Sequence, residues 1–333
     1  RELAALEADF EAGRARPPRF VYRPRPAEAW LEGLGRARDE AAELGPWGEL
    51  YAARLHELWL EAHIGRAAGN DALAGWAAER YARRDAFHPA ADELCDAWLA
   101  EPPPAPAVRK RRSDDEADPL SLVQRMRAEV GRRRIPFQVQ VARGLSALAA
   151  TGPHAIFVAP GRTMSDAAVE RTVLHEVQGH ALPRARARRH GGLYALGTAF
   201  GSDDQEGRAL ALEERSGHLG PRRRRELALR HRACALTRDG ADFVTVVRNL
   251  YPYTEAPPSG GRRTRGWSDA LRITARAQRG GGTSGGLTRE SVYLPAFLRV
   301  KSLLSVDPEA DRWLGAGQVS TCALPALRRL CPE

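Results

Sequence analysis

The histidines in "VLHEVQGHAL", residues 173–182, stand five apart, and this spacing constrains the local fold more than any other feature of the chain. His175 and His180 flank Glu176 in the manner of a zinc peptidase, but the familiar H-E-x-x-H helix separates its histidines by four. At 3.6 residues per turn, side chains four apart lie about 40° apart around the axis and can chelate one ion, whereas side chains five apart lie about 140° apart and cannot. Either the string is chance, or the helix departs from regular winding between the two histidines.

The neighbouring residues support the second alternative. Thr163 and Asp166 have capping-box spacing, so a helix is expected to start there. Val169, Val173 and Val177 follow at four-residue intervals and give it an apolar face running into the motif. Gly179, immediately before His180, permits a π-bulge or an early helix end, either of which would bring the second imidazole round to the first.

A chain of 333 residues with 43% hydrophobic content has enough apolar surface for a full core, which excludes wholesale disorder. The formal charge is +9, carried almost entirely by arginine, since Lys110 and Lys301 are the only lysines. With the abundant alanine this reads as GC-rich coding bias of bacterial type. The runs at 109–112, 132–134 and 221–226 are therefore taken as solvated faces and tails; no nucleic-acid partner is expected, and an attraction for acidic peptides stays open. Four cysteines without C-x-x-C pairing, and no apolar run of membrane-spanning length, point to a cytoplasmic protein without a membrane partner. The chain starts at Arg1 without methionine, so removal of a leader stays open, as does the oligomeric state.

Residues 1–100 are expected to form a helical region: the stretches 27–44, 50–64 and 72–84 space their apolar residues at three and four, and Trp30, Trp59, Trp76 and Trp98 are expected in its core. Residues 101–118, rich in proline and charge, read as an exposed linker or loop. In the remainder, 119–333, a helix is expected over 120–131, strands in "FQVQVA" and "AIFVAP", and then the motif helix. The fold class expected is α+β, mainly helical, with a zincin-like catalytic domain containing a small sheet.

A catalytic zinc site typically has three protein ligands. The best third candidate is Glu206 in "SDDQEGRALALEE", where Ser202 and Gln205 have capping-box spacing and place Glu206 in the first turn of a helix running to about Ser216, before Gly217. Glu213, seven residues on, returns to nearly the same face and suits a group that orients a ligating histidine. Spacing alone leaves open that Glu206 is an ordinary helix-dipole carboxylate and Glu213 a surface charge.

"HEVQGH", then "QEGRA", "RAQRGGG" and "GGLTRESVYL", in that order and preceded by "PPRFVYRP" near residue 20, resemble the family of the microtubule-associated tyrosine carboxypeptidases and the bacterial QEGLA-motif proteins. The resemblance implies a zinc-dependent metallopeptidase of carboxypeptidase type acting on a peptide or protein C-terminus. His175, His180 and Glu206 match the family's zinc ligands, and Glu176 its catalytic glutamate, the general base towards water on the zinc. Three departures stand out. Gly179 replaces a common threonine, Arg208 replaces the leucine of QEGLA, and Pro295 is expected to kink the helix carrying Tyr293.

A carboxypeptidase must also hold a free carboxylate, for which arginine is the best-matched group; Arg276, Arg279 and Arg289, around the glycine-rich 280–286, are the candidates. Tyr293 is either a donor to the tetrahedral oxyanion or a core tyrosine. Two other readings remain: an endopeptidase or amidase on the same metal, and a catalytically silent basic binding or regulatory protein.

Overall fold

The computed structural model describes residues 2–81, 85–104, 108, 110–254, 265–282 and 285–331. Helix takes up 65% of the described residues and strand 5%, so the fold is α+β and mainly helical, with small sheets. The chain groups into two compact units, one of residues 1–104 with 221–295, the other of residues 105–220 with 296–333. Residues 221–295, expected with the catalytic part, thus group with the N-terminal helices.

Among its described residues the first unit contains helices and connecting segments but no strand. Gly48–Arg66 packs against Glu28–Ala41 and Ala72–Arg80, and Phe87–Ala100 packs against Pro221–Arg238. Trp98 is buried there. Trp59 and Trp76 are half-buried and enclose His63, which stacks on Trp76 at 4.1 Å. Trp30 corrects the expectation of a core tryptophan: it is 71% exposed, because the helix Glu28–Ala41 turns that side to solvent.

The second unit contains both sheets. The central strand Ala155–Val158 pairs in parallel with Gln138–Val141 and antiparallel with Ala149–Thr151. Arg111–Arg112 pairs antiparallel with Thr163–Met164, and Ser113, fully buried, donates to the carbonyl of Ala159 at 2.6 Å. The described end of 101–118 is thus built into this unit, although its composition reads as an exposed linker.

The helix Leu122–Arg132 and the motif helix close over the three-stranded sheet. Val169, Val173 and Val177 are buried in that core with Met126, Ile156 and Val158. Each buried valine contributes about 1.5–3 kcal/mol, so the stripe is enough to seat the helix on the sheet whatever its winding further along. The helix begins two residues after Thr163: Ser165 is its cap, its hydroxyl accepting from the Ala168 amide at 3.2 Å, while Thr163 lies in a strand.

Between the histidines the winding changes. Asp166–Val173 is α-helical, Leu174–Ala181 is a π-helix, and Leu182–His190 is α-helical again, with ordinary right-handed dihedrals at both junctions. The chain therefore passes through the motif without a break, and Gly179 is used for a wider turn rather than for a helix end.

Candidate functional site

The π-turn gives His175 and His180 a common direction. Their Nε2 atoms lie 3.2 Å apart, and Oε2 of Glu206 lies 3.4 Å from the first and 3.5 Å from the second. Glu206 reaches this point as the sixth residue of the helix Gly201–Arg215, past the first turn, because the helix starts two residues earlier than expected, after Phe200 in a left-handed conformation rather than at a Ser202 cap. The Ser202 hydroxyl instead donates to Asp203 at 3.1 Å.

The two helices approach closely where these ligands meet. A Cβ on Gly179 would fall 2.7 Å from the Cβ of Ala209, and one on Gly207 would fall 2.3 Å from the carbonyl oxygen of Ala296. Gly179→Thr is accordingly expected to destabilise the protein by about 1–3 kcal/mol, the usual cost of overpacking, and Gly179→Thr with Ala209→Gly to recover most of that loss in urea denaturation. No recovery in the double variant would mean that the pair does not set the helix separation.

The partners of the imidazoles fix their protonation. Nδ1 of His175 faces Oε1 of Glu213 at 2.8 Å; a carboxylate only accepts, so that nitrogen carries hydrogen. Nδ1 of His180 faces Oε1 of Gln205 at 2.9 Å, and the same amide's Nε2 donates to the carbonyl of Gly317 at 3.4 Å, which sets the amide's orientation. With hydrogen on both Nδ1 atoms, it is the Nε2 atoms that face Glu206, and each offers a bare lone pair whenever its ring is neutral.

In that state three electron-pair donors converge, and Oε2 of Glu206 is buried without a hydrogen-bond partner. Only a cation satisfies such a centre. A metal held tetrahedrally at about 2.0–2.1 Å has ligand-to-ligand edges of about 3.3 Å, which the observed triangle of 3.2–3.5 Å matches. These three residues are thus a group able to hold a metal ion.

When a proton takes the metal's place, burial opposes a charge on His175, but Glu206 and Glu213 outweigh it and push that imidazole up to about 10. Burial likewise opposes charge on Glu206, yet His180 and His175 hold its carboxyl well below the ordinary range.

Glu176 lies on the same π-turn, buried, with Oε2 accepting from the Thr151 hydroxyl at 2.7 Å. Thr151 also donates to the Glu176 carbonyl at 3.2 Å, so the end of the strand Ala149–Thr151 holds both backbone and carboxylate of that residue. Sequence reasoning missed Thr151, because nothing local announces a strand residue 25 positions upstream. It also read Gln205 as part of a cap. The usable signal was the general rule that a ligating histidine needs a fixed partner on its other nitrogen. Pro183 and the inward course of Arg208 were missed as well; Arg208 is buried and pairs with Asp311.

The arginine candidates and Tyr293 belong to the first unit. Arg276 is engaged by Glu290, its Nε donating to Oε1 at 2.7 Å. Arg279 and Arg289 are exposed, and Thr283 and Ser284 of the glycine-rich stretch lie outside the described residues. Tyr293 is half-buried and opens the helix Tyr293–Val306 directly after the 3-10 turn Arg289–Val292. Pro295 therefore falls in a first helical turn, where no amide is needed, and the expected kink is absent.

Among the described residues no helix is long and apolar enough to cross a membrane. Comparison of the chain with curated proteins and with solved structures gives no match. The family model for microtubule-associated tyrosine carboxypeptidase matches residues 8–333, taking in the π-turn, all three converging donors and Glu176, and the chain belongs to that family.

Proposed function

We propose that this protein is a zinc-dependent carboxypeptidase that removes residues from the C-terminus of a peptide or protein. The observation that carries the reading is the convergence of His175 Nε2, His180 Nε2 and Glu206 Oε2 on one point, with the last otherwise unpartnered. Two nitrogens and one carboxylate oxygen are a donor set that suits zinc, and membership of a carboxypeptidase family supports a peptide or protein substrate. Zinc, when bound, supplies a Lewis acid for the scissile carbonyl.

The chain's own residues do the rest. Glu213 and Gln205 keep the two imidazoles in the tautomer that ligates. Glu176, aligned by Thr151, takes the proton from the attacking water and passes it to the leaving amine. The substrate carboxylate is assigned to arginine, with Arg276, Arg279 and Arg289 as the residues to replace one at a time. Tyr293 is assigned to the oxyanion.

Elemental analysis is expected to find one zinc per chain, lost in His175→Ala, His180→Ala and Glu206→Ala. Full metal in all three variants would place the site elsewhere. Peptides with a free C-terminus are expected to be shortened from that end, and the same peptides amidated there to survive, since amidation removes the charge that arginine pairs with. Equal cleavage of both would make the enzyme an endopeptidase or amidase on the same metal, and no cleavage by the zinc-loaded protein would favour a binding role.

A further inference from the structure

Widening a helix from four-residue to five-residue hydrogen bonding leaves one carbonyl to be accounted for where the winding reverts. At the end of the π-turn the Leu182 amide donates to the carbonyl of Val177, five residues back. The next carbonyl, that of Gln178, would look to residue 183 for its donor, but Pro183 has no N–H. The donor it would have in a regular α-helix, the Leu182 amide, is already used.

We propose that Arg208, fixed by Asp311, is a positioning residue for the metal-ligand turn: it supplies the donor that the carbonyl of Gln178 lacks. Its Nη1 lies 3.4 Å from that oxygen, at the long end of hydrogen-bond range. The guanidinium is nearly immobile, since Nε meets Oδ1 of Asp311 at 2.8 Å, Nη2 meets Oδ2 at 3.2 Å, and the residue is 6% exposed. Gln178 is gripped from its other end too, its side-chain amide donating to Glu129 at 3.3 Å.

The contact bears on the metal centre through the choice of winding. An unsatisfied carbonyl is costly in proportion to its burial, and this one is partly buried; the turn can remove that cost by reverting to α-helical bonding, in which Leu182 donates to Gln178. The reversion would swing His180 away from His175 and dismantle the three-donor centre. Arg208 removes the incentive to revert. The residue that stands in place of the leucine in QEGLA thus acts on the turn at Gln178, beside the other departure, Gly179.

This inference rests on the metal-centre reading, so its test has one readout that needs no metal. Amide hydrogen exchange over residues 174–184 of the metal-free protein is compared for the wild type, Arg208→Met, Pro183→Ala and the double variant, and zinc affinity is measured in parallel against a competing chelator. Arg208→Met is expected to speed exchange in that segment at least tenfold and to weaken zinc binding by about tenfold. Pro183→Ala, which gives residue 183 an amide to offer, is expected to restore both in the Arg208→Met background, a rescue that an ordinary loss of the ion pair with Asp311 would not permit. Arg208→Lys, which keeps the charge opposite Asp311 but not the reach of the guanidinium, serves in the same comparison if the methionine variant does not fold. Unchanged exchange in the Arg208 variant, or no rescue by Pro183→Ala, overturns the inference; absence of zinc binding by the wild type overturns the metal-centre reading, and the exchange data then judge the role of Arg208 separately.

Discussion

Replacing Glu176 with glutamine is expected to lower kcat by about 10²- to 10⁴-fold, the usual contribution of a positioned general base, while zinc content and peptide binding stay as in the wild type. The separation of effects follows from geometry. Glu176 lies next to His175 on the π-turn but is not among the three converging donors, so its carboxylate can be neutralised without removing a ligand. Glutamine keeps the side chain's size and an oxygen able to accept from Thr151, which now donates to Oε2 at 2.7 Å. Steady-state kinetics on a peptide with a free C-terminus, with metal analysis of the same preparation, reads both halves. A variant keeping more than about a tenth of wild-type kcat would take the base role away from Glu176.

Acidity should matter almost as much for metal uptake. In the metal-free protein His175 is pushed up to about 10 against the burial that opposes its charge, by Glu206 and Glu213, so at neutral pH it holds a proton that a metal must displace. One proton released per metal bound means that zinc affinity rises about tenfold per pH unit, or about a hundredfold from pH 6 to pH 8. Chelator competition at three pH values checks this, and a flat profile would mean that no proton leaves His175.

The stability of the metal-free protein should run the other way. A raised folded-state imidazole stabilises fully below its ordinary value of 6.5, and that stabilisation is lost as pH climbs towards 10. Glu206, held low by His180 and His175 in spite of burial, stabilises above 4.5 and loses its contribution only as pH falls through its depressed value. Urea denaturation in the presence of a chelator should therefore show the metal-free protein weakening from pH 6.5 to pH 10, over a range in which zinc binds ever more tightly.

How much of this was legible in the sequence depends on how far apart the interacting residues stand. The irregular winding follows from two histidines five apart with a glycine between, and the valine stripe shows which face of that helix is buried. These are properties of a dozen neighbouring residues. Glu206 was identifiable as a ligand candidate, but from spacing alone it could equally have served the helix dipole, and only the resemblance to a family separated the two. Helix starts were misplaced where a capping-box pattern was read literally: Thr163 belongs to a strand, and Gln205 is used by a histidine rather than by its own helix end. Thr151 and Asp311 were out of reach because each meets its partner through register and packing, 25 and 103 positions away. Trp30 shows the converse error, since an amphipathic pattern gives a period but not which residues end on the solvent side.

The division between residues 105–220 and 296–333 of the unit that carries the three donors has a consequence for when their convergence can form. All three donors leave the ribosome before residue 221, yet the groups that brace Glu206's helix arrive last. Ala296 presses its backbone on Gly207, Arg299 and Thr321 hold the buried Asp204, Asp311 holds Arg208, and the Gly317 carbonyl orients Gln205. At about 5–20 residues per second the donors wait on the order of ten seconds for this support. Until then the helix that carries Glu206 lacks the contacts that hold it beside the two histidines. A stop codon shortly before residue 296 would remove none of the three donors and still take away the contacts that bring them together.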